Sequence, residues 1–223
     1  MPEQLAFDLP VRPALERGDF LIAPPNALAL ATVEAGDWPQ GKLVLAGPEG
    51  AGKTHLVHVW AKTTGAQIIA ARDLAQAEIP ALVAGGAVAV EDADTIAGSR
   101  ELEEALFHLH NLALAEAAQL LLTARAAPQR WGLALPDLAS RLAATAVATI
   151  DPPDDTLLSA VLVKQFADRQ LSVAPSLIPW LAARMERSFA GAQSLVAALD
   201  ARALAARKPV SRALAQAVLD SHN

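Results

Sequence analysis

Cysteine is absent from the 223-residue chain. Disulfide frameworks, thiol catalysis and cysteine-based zinc sites are therefore excluded, and a reducing cytoplasm is the compartment expected for it. The first residues, Met-Pro-Glu-Gln-Leu-Ala-Phe-Asp, lack a basic stretch followed by an apolar core, so no secretory leader is expected. No apolar run reaches membrane-spanning length, and Leu112 to Leu122 is interrupted by Glu116 and Gln119. Positive charge is also in deficit: the formal net charge is −6 and the pI is near 5.3. A general electrostatic affinity for nucleic acid is not expected from that balance. Other chemistries are missing too. There is no G-x-S-x-G elbow for a serine hydrolase. His55 and His58 lie one turn apart with no third ligand nearby in sequence, and His108 and His110 diverge on a helix.

What the chain does have is 53% hydrophobic residues, enough for a large core at this length. Its most informative stretch is Leu43-Val-Leu-Ala-Gly-Pro-Glu-Gly-Ala-Gly-Lys-Thr54. A short apolar strand enters a G-x-x-x-x-G-K-T loop, and an amphipathic helix, Thr54 to Lys62, leaves it. Such a loop, here Gly47, Pro48, Glu49, Gly50, Ala51 and Gly52, cradles phosphates with its backbone N–H groups, aided by the dipole of the following helix. Lys53 is expected to reach the β- and γ-phosphates of ATP or ADP, and Thr54 to bind Mg²⁺.

Further strands are expected at Gln67 to Ala71, Ala87 to Val90, Leu120 to Ala124 and Ala144 to Ile150. They alternate with helices, which predicts an α/β domain with a parallel sheet and flanking helices. Asn26 is the expected cap of a helix running to about Val33, Asp73 of a short helix after the second strand, and Ser99 of a long one. Pro80 and Gly85-Gly86 read as breaks, and Pro136 starts a short helix. The third strand delivers Glu91 and Asp92 at its C-terminal end, the edge where open α/β sheets bind ligands. Continued strand geometry would turn them to opposite faces, Glu91 to the Mg²⁺ and Asp92 to the attacking water. Thr123 lies near the end of the next strand, where a hydroxyl could sense the γ-phosphate or its water. Beyond Asp151-Pro-Pro-Asp154 the pattern is purely helical: 156–169, 175–187, 191–207 and 211–221. The expected division is an arm at 1–18, a nucleotide-binding domain at 19–151 and a small helical lid at 152–223. In the arm, Leu5, Phe7 and Leu9 alternate, so it either packs on its own domain or docks into a partner's groove beside Gln4.

Taken together, Gly47-Pro-Glu-Gly-Ala-Gly-Lys-Thr-His-Leu56, Val88-Ala-Val-Glu-Asp92, Leu121-Leu-Thr-Ala-Arg125 and Pro136-Asp-Leu-Ala-Ser-Arg-Leu142 resemble the AAA+ ATPases. The resemblance is to the branch of the replication initiator DnaA and its regulatory homologue Hda, and runs from about Asp19 onward. It implies that Thr123 is the first sensor and Arg141 an arginine finger offered to a neighbouring subunit's nucleotide. It also implies that Phe20 to Leu28, with Pro25 and Asn26, surrounds the adenine. Arg187, opening Arg-Ser-Phe-Ala-Gly-Ala192, matches the lid's second-sensor arginine, with Arg184 behind it. Gln4-Leu-Ala-Phe-Asp-Leu9 looks like the hexapeptide by which Hda binds the DNA polymerase sliding clamp. DnaA has a helix-turn-helix domain after its lid, whereas this chain reaches Asn223 with the lid, so sequence-specific DNA binding is not expected. The family usually has Asp where Glu91 stands, and one more methylene displaces the carboxylate by about 1.5 Å. Nucleotide binding with weak intrinsic hydrolysis is the expectation.

Three functions compete. One is an Hda-like regulator that acts on DnaA-bound ATP through Arg141, tethered to the clamp and able to self-associate through AAA+ surfaces. The others are a stand-alone ATPase or helicase-loader adaptor, and a non-catalytic nucleotide-bound interaction module.

Overall fold

A computed structural model describes residues 17, 20–206 and 208–221. The arm carrying Gln4, Leu5, Phe7 and Leu9 lies outside them. Five strands form one parallel sheet: β1 (Lys42–Ala46), β2 (Gln67–Ala70), β3 (Ala87–Glu91), β4 (Gln119–Ala124) and β5 (Ala146–Thr149), in the order β2-β3-β4-β1-β5. The strands are apolar runs rather than alternating ones because both faces are covered. Val44, Val88, Val90, Leu120 and Leu122 point to one face, where they meet α3 (Ile79–Val83), α4 (Arg100–Ala115) and α5 (Pro136–Ala143). Leu43, Leu45, Ala87, Ala89 and Leu121 point to the other, against α1 (Pro24–Ala35) and α2 (Lys53–Thr64). The C-terminal helical region, α6 (Asp155–Asp168), α7 (Leu177–Ala182), α8 (Phe189–Ala206) and α9 (Arg212–Asp220), has its own apolar cluster around Leu162, Phe166, Leu181 and Leu199.

Several local readings shift. The cap of α1 is Ala23 rather than Asn26, which sits three residues later and works in reverse: its Oδ1 accepts the Ala23 N–H at 2.9 Å and its Nδ2 donates to Leu21 O at 2.8 Å. Pro24 and Pro25 fill the first helical positions, where a missing N–H costs nothing. Asp73 lies inside a 3₁₀ segment, Ala71–Gln76, and makes no cap hydrogen bond. Pro80 does not break the chain but occupies the first turn of α3, for the same reason as in α1. The helix expected over 175–187 contracts to α7, and residues 183–188 turn and bend before α8 starts at Phe189. Ser99 caps α4, accepting from Leu102 N, and Asp154 caps α6, accepting from Leu157 N at 2.7 Å.

Candidate nucleotide site and the opposite edge

The loop between β1 and α2 crosses the C-terminal edge of the sheet. Gly50 and Gly52 hold φ of +69° and +98°, a left-handed region that L side chains rarely adopt. Gly47 is needed for a different reason: a Cβ there would stand 2.6 Å from the carbonyl oxygen of Ile150. Lys53 opens α2, is largely buried, and donates from Nζ to the carbonyls of Gly47 at 2.7 Å and Pro48 at 2.8 Å. Burial lowers its pKa, an effect that Asp92 and Asp94 oppose. The ammonium is thus pinned inside its own loop by two carbonyls, a partner set that an anion's oxygens could replace. Thr54 is exposed on the first turn of α2. Glu49 reaches across to pair with Arg125 at 3.1 Å.

The acidic side of the site comes from β3 and the turn after it. Glu91 ends the strand, but Asp92 leaves strand geometry with φ +55°, so the two do not simply alternate faces. Thr123 is buried on β4, and its Oγ1 accepts the Asp92 N–H at 2.9 Å. That bond, with Thr95 Oγ1 donating to Asp92 O at 2.7 Å, fixes the turn and leaves the Asp92 side chain exposed. Asp94, which the motif reading passed over, accepts the Arg125 N–H through Oδ2 at 3.1 Å. Glu91 Oε1 and Asp94 Oδ1 are buried with no hydrogen-bond partner among the described residues. Buried carboxylate oxygens without donors are costly unless a cation or water meets them, so the donor set fits Mg²⁺. No three acidic or histidine side chains among the described residues close around a metal, so Thr54, water and nucleotide oxygens would complete the shell.

The helical region closes onto this loop. Phe189 N–H, at the start of α8, donates to Gly50 O at 2.9 Å. A Cβ on Gly50 would come within 2.5 Å of Ser188 Cβ, and one on Gly52 within 3.0 Å of the Phe189 ring and 3.7 Å of Phe20. Phe20 in turn meets His55 edge to face at 5.2 Å. Pro25 O accepts the Asp151 N–H at 3.0 Å, so the segment before α1 is tied to the chain after β5. With both ends of its amide committed to backbone, Asn26 shapes this segment. Arg187 stands at the junction, where Nη1 donates to Asp155 Oδ1 at 2.6 Å, while Arg184 lies over Trp180 at 4.7 Å. Ser188 and Phe189 carried no local signal, since their partners are far away in sequence.

Arg141 is elsewhere. It is exposed on α5, with its guanidinium carbon 5.2 Å over the Phe107 ring of α4. It acts on Lys42, the first residue of β1, whereas the phosphate loop follows the last. A five-residue strand separates these edges by about 16 Å. The start of α5 is fixed by Glu103 of α4, a buried carboxylate that accepts N–H bonds from Gly98 at 3.0 Å, Ala134 at 2.9 Å and Leu135 at 2.7 Å. Burial disfavours its charge, but the Ala134, Leu135 and Gly98 donors outweigh that and hold its pKa below the ordinary value. Among the described residues, no helix is long and apolar enough to cross a membrane.

No protein-family profile matches the chain. It is 23% identical over 213 residues to the chromosomal replication initiator DnaA of Cutibacterium acnes, covering 87% of this chain and 43% of that protein. The crystal structure of domain III of Thermotoga maritima DnaA superposes with a TM-score of 0.81 at 17% identity, covering 96% of this chain and 98% of that one. A DnaA structure bound to AMPPCP and single-stranded DNA gives 0.69 at 20% identity, covering 83% and 64%. The chain spans less than half the length of the DnaA proteins it matches. Sheet order, phosphate loop and these likenesses agree: the chain carries a DnaA-like AAA+ fold.

Proposed function

We propose that the protein is a cytoplasmic, adenine-nucleotide-holding regulator of replication initiation that uses Arg141 to promote hydrolysis of ATP bound by a DnaA partner. The carrying observation is the placement of Arg141. It is exposed, rests on Phe107, and stands at the sheet edge opposite its own phosphate loop, so it is not available to a nucleotide held there. An exposed arginine held in that way suits a phosphate presented by another subunit. In this reading ATP or ADP with Mg²⁺ sits on Lys53, Thr54 and the glycine loop, flanked by Glu91, Asp92 and Thr123. Residues 152–223 form the lid, with Arg187 as its second-sensor arginine. Gln4, Leu5, Phe7 and Leu9 tether the protein to the sliding clamp.

The test is the ATPase rate of DnaA mixed with this protein and clamp-loaded DNA. An arginine supplied in trans contributes about 10³–10⁵ to phosphoryl transfer in the best-studied cases. Arg141→Ala is therefore expected to remove nearly all stimulation while ADP binding and clamp pull-down persist, and full stimulation by that variant would refute the role. Gln4→Ala with Leu5→Ala is expected to lose the clamp alone.

A second reading, a stand-alone ATPase or helicase-loader adaptor, draws support from the oxygens of Glu91 and Asp94 that have no partner among the described residues, beside a complete G-x-x-x-x-G-K-T loop. Robust turnover by the purified protein alone would favour it.

A further inference from the structure

Behind Arg141 lies a second basic group that the finger does not by itself account for. Lys42 is 2% exposed, and its Nζ lies 3.3 Å from Nδ1 of His110 on α4, itself 3% exposed. Phe107, which carries the Arg141 guanidinium, lies one turn before His110 on the same helix. Among the described residues, the groups facing the pair are Arg141 from α5 and Asn111 from α4, and no carboxylate acts on either Lys42 or His110. An ammonium buried without a counter-ion is costly. Burial first, and then Arg141, lowers the Lys42 pKa to about 8. Burial, Lys42 and Arg141 lower that of His110 to about 4, so the imidazole is neutral near pH 7 and its Nδ1 can accept from the ammonium.

We propose that Lys42, seated on His110 behind Arg141, is a second cation for the phosphate group that Arg141 receives from a partner, and that it must be protonated to act. The inference rests on the finger reading and adds to it a proton requirement. A phosphate arriving at Arg141 supplies a counter-ion that Lys42 does not have among the described residues. It favours the ammonium form, so docking takes up a proton at high pH. Lys42 touches no substrate; it works through the field behind Arg141.

The experiment compares wild type, Lys42→Met, Lys42→Arg and Arg141→Ala in stimulation of DnaA ATPase between pH 7 and 9.5, with the hydrolysis of DnaA alone subtracted. Wild-type stimulation is expected to fall roughly tenfold per pH unit above the Lys42 pKa. Lys42→Met is expected to be weak and flat across the range, and Lys42→Arg to keep its stimulation at pH 9.5. Wild-type strength or slope in Lys42→Met would overturn the proposal. Residual full stimulation by Arg141→Ala would instead overturn the finger reading, so the two failures are distinguishable. A second measurement needs no partner. The folded pKa of Lys42 lies below its unfolded value, so the unfolded chain keeps the proton longer as pH rises. Wild type should therefore gain thermal stability relative to Lys42→Met from about pH 8 upward. A constant difference in Tm would overturn the proton requirement.

Discussion

Glu103 shows what a single residue contributes away from the nucleotide. Its carboxylate gathers N–H groups from the end of the acidic turn, Gly98, and from the approach to α5, Ala134 and Leu135. It thereby joins the element that presents Asp92 and Asp94 to the element that presents Arg141. Glu103→Gln keeps the shape but turns an amide N–H₂ toward backbone donors, and is expected to destabilise the fold by about 2–3 kcal/mol at neutral pH. The folded pKa of Glu103 is depressed, so its contribution is present above the unfolded value and lost as pH falls through the folded one. The gap in Tm between wild type and Glu103→Gln should therefore narrow in acid, and a gap that stayed constant from pH 7 to pH 3 would contradict this account. None of it was legible locally. A glutamate in the first turn of α4 reads as a dipole-favoured surface residue until the loop 32 residues away closes over it.

At the scale of elements, the phosphate loop and the start of α8 act as one unit. Two left-handed glycines let the loop pass close beneath Ser188 and Phe189, and the Phe189 N–H is satisfied by Gly50 O. Gly50→Ala meets two penalties: left-handed strain of about 1–2 kcal/mol, and a clash with Ser188 Cβ at 2.5 Å. The expected outcome is a lower Tm and weaker ADP binding. Adding Ser188→Gly should recover part of the binding by removing the clashing Cβ, while the strain remains. If the double variant bound ADP no better than Gly50→Ala, the contact would carry no coupling. Sequence patterning predicted the loop, the strands and most helix starts because those depend on neighbours: glycines, capping residues and apolar runs. It misplaced the caps at Asn26 and Asp73 and overextended α7. Each of those depends on where the chain goes next, not on propensity.

For the whole molecule, the loop after β1, carried by the sheet, meets the start of α8, carried by the helical region. A nucleotide held on that loop, as proposed, would contact both and bind only the folded chain. Adding ADP at about 100 times its Kd is expected to stabilise the protein by about 2.7 kcal/mol, read as a rise in Tm. The Arg187–Asp155 pair is half exposed, so Arg187→Ala should change the stability of the free protein by less than about 1 kcal/mol. If Arg187 serves as the second sensor, the same variant should shrink the ADP-induced rise in Tm, and an undiminished rise would remove it from the site.

Residue order alone determined the α/β class, the phosphate loop with Lys53 and Thr54, the acidic strand end and the helical C-terminal region. Each is written in contiguous residues whose spacing matches a strand, a turn or a helix. Tertiary structure alone decided which residues share a site. Asp94 joins Glu91 in presenting a buried carboxylate oxygen with no partner among the described residues, Ser188 and Phe189 press on Gly50 and Gly52, and Lys42 meets His110 across 68 positions of chain. Such pairings arise because burial draws distant side chains into one low-dielectric space, where charges and hydrogen bonds must be settled together. No local window of sequence contains both partners.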